Sequence, residues 1–69
     1  MEKMYIIYER AYGYSRVRSI EFNRNEAIEI AFDVNKGLQY ETWVAEANIG
    51  ESYYCNENAF DDTIIAFFK

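Results

Sequence analysis

The segment from Asn23 to Gly37, NRNEAIEIAFDVNKG, carries a start signal, a helical period and a stop signal. Asn23 is a good N-cap, and Glu26 three residues later completes a capping box in which the asparagine side chain accepts from the N3 amide. Gly37 supplies a residue suited to the left-handed end of a helix, and Lys36 sits at the negative end of the helix dipole. Ala27, Ile30, Ala31 and Val34 fall on one side, widened by Ile28 and Phe32, while Glu26, Glu29 and Asp33 fall together on the other. The spacing predicts a helix that must bury one side against something else. Everything before it has 22 residues in which to build that surface.

Those residues read as a hairpin. Met4 to Arg10 is rich in β-formers on both faces, as an inner strand of a sheet would be. Ala11 to Ser15, AYGYS, forms a turn around Gly13, and Arg16 to Phe22 resumes as a strand. Val17, Ile20 and Phe22 do not keep one parity, which predicts a bulge or an early strand end near Ser19. After the helix, Leu38 to Asn48 favours a strand, Ile49-Gly50-Glu51 signals a turn, and Ser52 to Cys55 returns as a short strand. The tail has two readings. A helix capped by Asn58 would align Phe60, Ile64, Phe67 and Phe68, whereas TIIAFF is β-prone and short enough for a final strand. The helix is preferred, giving an α+β fold of order ββαββα, a small antiparallel sheet with helix packed on one face.

Residues 1–69 fit one small domain, and a chain this short buries only about 60% of its unfolded surface. A single cysteine, Cys55, makes no internal disulfide, and the lack of histidine leaves few zinc ligands. Seven tyrosines, five phenylalanines and Trp43 are left to supply the core. Without histidine the common base-activated nucleophiles are missing, and three scattered glycines make no phosphate-cradling loop. Cys55 has no neighbouring cation and reads as a small buried hydrophobe. The chain therefore reads as a non-enzyme without cofactor or metal. No stretch has the length of a signal-peptide core or a bilayer span, so a cytoplasmic protein is expected.

Charge is unevenly spread. Residues 1–24 hold five basic groups (Lys3, Arg10, Arg16, Arg18, Arg24) and three acidic ones (Glu2, Glu9, Glu21), a net +2. Residues 25–69 hold nine acidic groups against Lys36 and Lys69, a net −7. Glu26, Glu29 and Asp33 share a helix face where like charges stabilise nothing locally. That face is either simply solvated or an anionic surface for a basic partner, extended by Glu41, Glu46, Glu51, Glu57, Asp61 and Asp62. A second constellation is the hairpin tip, where Tyr12 and Tyr14 flank Gly13 with Arg10, Arg16 and Arg18 on the adjoining strands. Tyrosine and arginine dominate interface hot spots, and they also stack and pair with single-stranded nucleic acid. The alternative is that the tyrosines fold back to cover a small core.

With these features together, the chain resembles the small acidic proteins that bacteriophages and mobile elements encode to block host defence, the anti-CRISPR and anti-restriction inhibitors. The resemblance rests on size, the −7 segment, aromatic richness and the scarcity of proline and cysteine. It spans the whole chain as composition and architecture, and with no family motif matched it transfers no functional residue. It implies stoichiometric inhibition of a basic host protein or ribonucleoprotein complex in a bacterial cytoplasm. The basic first hairpin departs from a uniformly acidic nucleic-acid mimic and implies a mixed interface. Three other readings stand beside it: a nucleic-acid-binding regulator using the Arg/Tyr hairpin, an antitoxin or immunity-type protein, and a homodimer.

Overall fold

The computed structural model describes residues 2–38, 41–48 and 63–69. Strands β1 (Lys3–Ala11) and β2 (Tyr14–Glu21) are followed by helix α1 (Arg24–Leu38) and strands β3 (Glu41–Asn48) and β4 (Ile64–Phe68). The strands form one antiparallel sheet of order β2-β1-β3-β4. The fold is α+β, ordered ββαββ over the described residues.

The order follows from which strands can be buried on both faces. β1 and β3 are central, and β1 presents apolar residues on both sides, as an inner strand must. Tyr5 and Ile7 pair across from Glu46 and Val44 on the face that meets α1. There Ile7, Val44, Ala27 and Ala31 are buried together, with Ile28, Ile30, Ile65, Ala66 and Phe68 packed around them. The alanines carry no bulk beyond Cβ, so the helix axis approaches the sheet closely at Ala27 and Ala31. On the opposite face Ile6, Tyr8, Trp43, Ala45 and Ala47 form a second buried cluster against Met4 and Ile64. Trp43 stacks on Tyr8 with ring centroids 5.6 Å apart and on Phe67 at 6.0 Å. Arg10 covers the indole from above, its guanidinium carbon 5.1 Å from the ring centroid.

The N-cap forms as its sequence demands. The Glu26 amide donates to Asn23 Oδ1 at 2.9 Å, and the Ala27 amide donates to the Asn23 carbonyl at 2.9 Å. The irregular parity of β2 also has its cause. The β1–β2 register shifts between Ile7 and Tyr8, so Tyr8 faces Val17 while Ile7 faces Ser19, and Arg18 is the extra residue of a bulge.

Three expectations need correction. Gly37 does not end the helix: α1 continues to Leu38, and among the described residues only Tyr12 and Gly13 have positive φ. Leu38 still belongs to α1, so β3 begins at Glu41 and not at Leu38. The hairpin turn is tighter than AYGYS, because Tyr14 and Ser15 already belong to β2. The last element is a strand and not a helix. The β-branched and aromatic run IIAFF pairs with the free edge of β3, Thr42 opposite Phe68 and Val44 opposite Ala66. Phe67 then goes to the Trp43 side and Phe68 to the helix side, so the expected stripe divides between two faces. Asn35 Nδ2 donates to the Phe68 carbonyl at 3.3 Å and ties the end of α1 to this strand. The expected turn at Ile49–Glu51, strand at Ser52–Cys55 and cap at Asn58 lie outside the described residues.

Two substitutions separate the start of the helix from its end. Asn23→Ala removes the cap acceptor and should destabilise the protein by about 1 kcal/mol. Gly37→Ala should stabilise it by about 0.5–1 kcal/mol, since a Cβ there meets nothing within 4 Å and the backbone is already helical. Urea titrations followed by circular dichroism measure both, and a Gly37→Ala variant less stable than the parent would contradict the helical assignment.

Candidate functional site

The β1–β2 turn has two central residues, Tyr12 with φ 55° and Gly13 with φ 82°. Positive φ at both positions is the signature of the type I′ hairpin, whose twist matches the strands it joins. Such turns favour Asn-Gly, because asparagine tolerates the left-handed region that costs other side chains about 1–2 kcal/mol. Here a tyrosine occupies the first position, and its side chain is turned outward rather than into the core. Tyr12 is 88% exposed and Tyr14 79% exposed, so neither folds back over the sheet.

Beneath the two rings is a hollow of about 290 Å³ lined by Glu9, Ala11, Tyr12, Tyr14 and Arg16. It opens on the helix-facing side of the sheet, because Glu9 and Ala11 share a face of β1 with Tyr5 and Ile7. The β1 residues packed in the cluster under α1 are Tyr5 and Ile7, and Ala11 is not among them. The floor is Glu9, buried to 2% exposure although it is a carboxylate. A buried charge requires compensation. Arg16 Nε donates to Glu9 Oε1, and Arg18 Nη1 lies 3.7 Å from Glu9 Oε2. The bulge contributes here, since it sets Arg18 one position out of phase and so brings a second arginine to the same acid. Glu9 was not singled out by sequence reasoning. Its only signal is an acid that shares a strand face with Tyr5 and Ile7.

Arg10 lies on the other face, where its Nε donates to Ser15 Oγ at 3.2 Å, its Nη1 approaches Glu41 at 4.0 Å, and Trp43 lies beneath it. All three hairpin arginines are therefore engaged by carboxylates of the same protein. The acidic residues divide. Glu26, Glu29 and Asp33 are exposed along α1. Glu41 faces Arg10, and Glu46 pairs with Lys3 at 3.1 Å, so these two are partly neutralised. Glu51, Glu57, Asp61 and Asp62 lie outside the described residues. The helix triad and the hollow lie on the same side of the sheet, since α1 and the side chains of Glu9 and Ala11 occupy that face.

Among the described residues no group of three or more potential metal ligands converges, and no helix is long and apolar enough to cross a membrane. No family model, curated protein or solved structure matches the chain.

Two predictions concern this site. Tyr12→Asn should stabilise the fold by about 1 kcal/mol through relief of the left-handed tyrosine, measured as a shift in urea midpoint without change of slope. Arg16→Ala and Arg18→Ala should each destabilise by about 1 kcal/mol, and the double variant should lose more than their sum. With both gone, Glu9 is left buried without a counter-charge, a situation that costs several kcal/mol. Strict additivity in the double variant would show that the two arginines do not share the acid.

Proposed function

We propose that this protein acts by binding another protein, as a stoichiometric inhibitor of a host nucleic-acid-handling complex such as a CRISPR effector or a restriction system. The observation that carries the reading is Tyr12: an aromatic side chain held almost fully in solvent, on a backbone conformation that another residue would adopt at lower cost. Strain of this kind concentrates where a side chain is needed for recognition rather than for folding. Tyr12 and Tyr14 offer two large rings on a two-residue turn, which loses little entropy when it is bound. The hollow between them, near the small end of the roughly 300–1,000 Å³ typical of binding pockets, accepts one protruding side chain of a partner.

The helix triad supplies the second half of the interface. Glu26, Glu29 and Asp33 present like charges on the face turned away from the sheet, and they flank the side on which the hollow opens. A partner matching both has a basic surface, as nucleic-acid-processing proteins do along the grooves that hold phosphates. The internal pairing of Arg10, Arg16 and Arg18 favours this reading over direct nucleic-acid binding, in which those cations would face phosphate.

The test is capture of partners from nuclease-treated bacterial lysate on the tagged protein, followed by assay of the recovered complex with added inhibitor. One nucleic-acid-processing complex should be retained and its activity lost near equimolar addition. Tyr12→Ala should weaken that binding by roughly 30-fold, the effect of a hot spot worth about 2 kcal/mol. Lysine at all three acidic helix positions should abolish it at low salt, with the far-ultraviolet dichroism retained. Binding that survives both sets of substitutions would place the interface elsewhere. Salt-sensitive binding to oligonucleotides, with no protein retained, would replace the reading with nucleic-acid recognition.

A further inference from the structure

β2 is an outer strand, and no described strand lies beyond it. It is eight residues long, and its exposed apolar side chains are Val17 at 46% and Ile20 at 48%, with Phe22 following at its end. Long edges with exposed apolar residues are templates for another strand, and proteins that keep them unpaired guard them with charge, proline or bulges. β2 has a bulge and two arginines, yet neither arrangement repels a second copy of β2.

The bulge changes the parity of the strand. Val17 faces Tyr8 and Ile20 faces Ile6, so both lie on the side away from α1 although they are three residues apart. Arg16 faces Glu9 and Glu21 faces Tyr5, so those two share the helix side although they are five apart. In an unbroken strand each of these pairs would divide between the faces. Residues directly opposite each other in an antiparallel pair must share a face. The bulge therefore permits one self-pairing that a regular strand forbids. With a two-fold axis between Arg18 and Ser19, Val17 lies opposite Ile20 of the second copy, Arg16 opposite Glu21, and Ser15 opposite Phe22. Each contact occurs twice. Apolar meets apolar on one face, and cation meets anion on the other.

Neighbouring registers lose this match. Shifted one way, Arg18 meets Arg18; shifted the other way, Val17 meets Glu21 and Arg18 meets Ile20. Charge and hydrophobicity thus select a single symmetric arrangement. Arg16 keeps 70% of its side chain exposed while its Nε is committed to Glu9, and Glu21 has no ion pair among the described residues.

We propose that the free edge of β2 is a homodimer interface, which joins two four-stranded sheets into one across a two-fold axis. The interface is isologous, so it closes at two copies and does not propagate. Arg16 also lines the hollow beneath the tyrosine tip, whereas Ile20 and Glu21 line neither the tip nor the hollow, so substitutions at those two positions test the dimer separately from the inhibitory reading.

Sedimentation equilibrium over micromolar to millimolar protein tests the proposal. The mass should rise with concentration from 8.2 kDa toward twice that value. Glu21→Arg, a surface change that leaves the core intact, should weaken the dimer by roughly tenfold, since two attractive pairs become repulsive. Ile20→Glu should weaken it at least as much. The double variant Val17→Lys/Ile20→Glu should recover part of the loss, because opposite charges then face each other across the axis. A mass of 8.2 kDa at every concentration overturns the proposal. So does a dimer whose dissociation constant is indifferent to both Glu21→Arg and Ile20→Glu.

Discussion

The structure depends on the stacking of Trp43 between Tyr8 and Phe67. A chain of this length has few residues to spend on a core, and among the described residues Trp43 and Tyr8 are the largest side chains that are fully buried. The three rings come from three adjacent strands, so the stack fixes the order β1-β3-β4 and aligns Tyr8, Trp43 and Phe67 across the sheet. Arg10 completes it from above while holding Ser15 of β2 and Glu41 of β3, which links this stack to the hairpin. The helix needs only the other face. Ala27 and Ala31 allow it to approach, and Ile7 and Val44 meet it from the strands that the stack has already placed.

The same division explains which residues remain available for function. Among the described residues seven large apolar side chains are exposed; apart from Phe32 and Phe67, whose rings pack against Phe68 and Trp43, they form two groups. Tyr12 and Tyr14 extend from the turn, and Val17, Ile20 and Phe22 line an outer strand. Neither group contributes to the core. One is concentrated on a rigid tip beside a hollow, and the other lies along an edge whose hydrogen-bonding groups face outward. Two surfaces with different geometry suit two different kinds of partner.

Much of this was legible in the residues. The helix announced itself through Asn23 and Glu26, and the tight turn through Gly13. The broken parity of Val17, Ile20 and Phe22 pointed to a bulge or an early strand end, and the register shift between Ile7 and Tyr8 is the bulge. Other features were not legible, each for a physical reason. Gly37 is a common helix terminator, but glycine is also tolerated within a last turn, and its residue type alone does not separate the two. Ile64 to Phe68 satisfies both a helical stripe and a strand, and the free edge of β3 settles it through contacts distant in sequence. Glu9 reads as an ordinary acid until two arginines from the neighbouring strand are seen to converge on it. At the site, the exposure of Tyr12 and Tyr14 was a question the sequence left open. The internal pairing of the arginines was hidden from it.

The strand order also dictates how structure is gained and lost. Ala11 and Tyr14 pair across a two-residue turn, so the β1–β2 hairpin closes with little entropy lost and can form early. β4 is different: among the described strands it is the shortest and pairs on one side, and its partners in β3 are distant along the chain. A short outer strand closed by distant contacts is expected to dock late and to open at a cost below that of global unfolding. When it leaves, Phe67 withdraws from Trp43, and the indole loses one of its two stacking neighbours while Tyr8 stays. The fluorescence of the single tryptophan therefore reports the opening of this edge separately from the collapse of the whole sheet, and amide exchange along Ile64 to Phe68 runs ahead of exchange in β1.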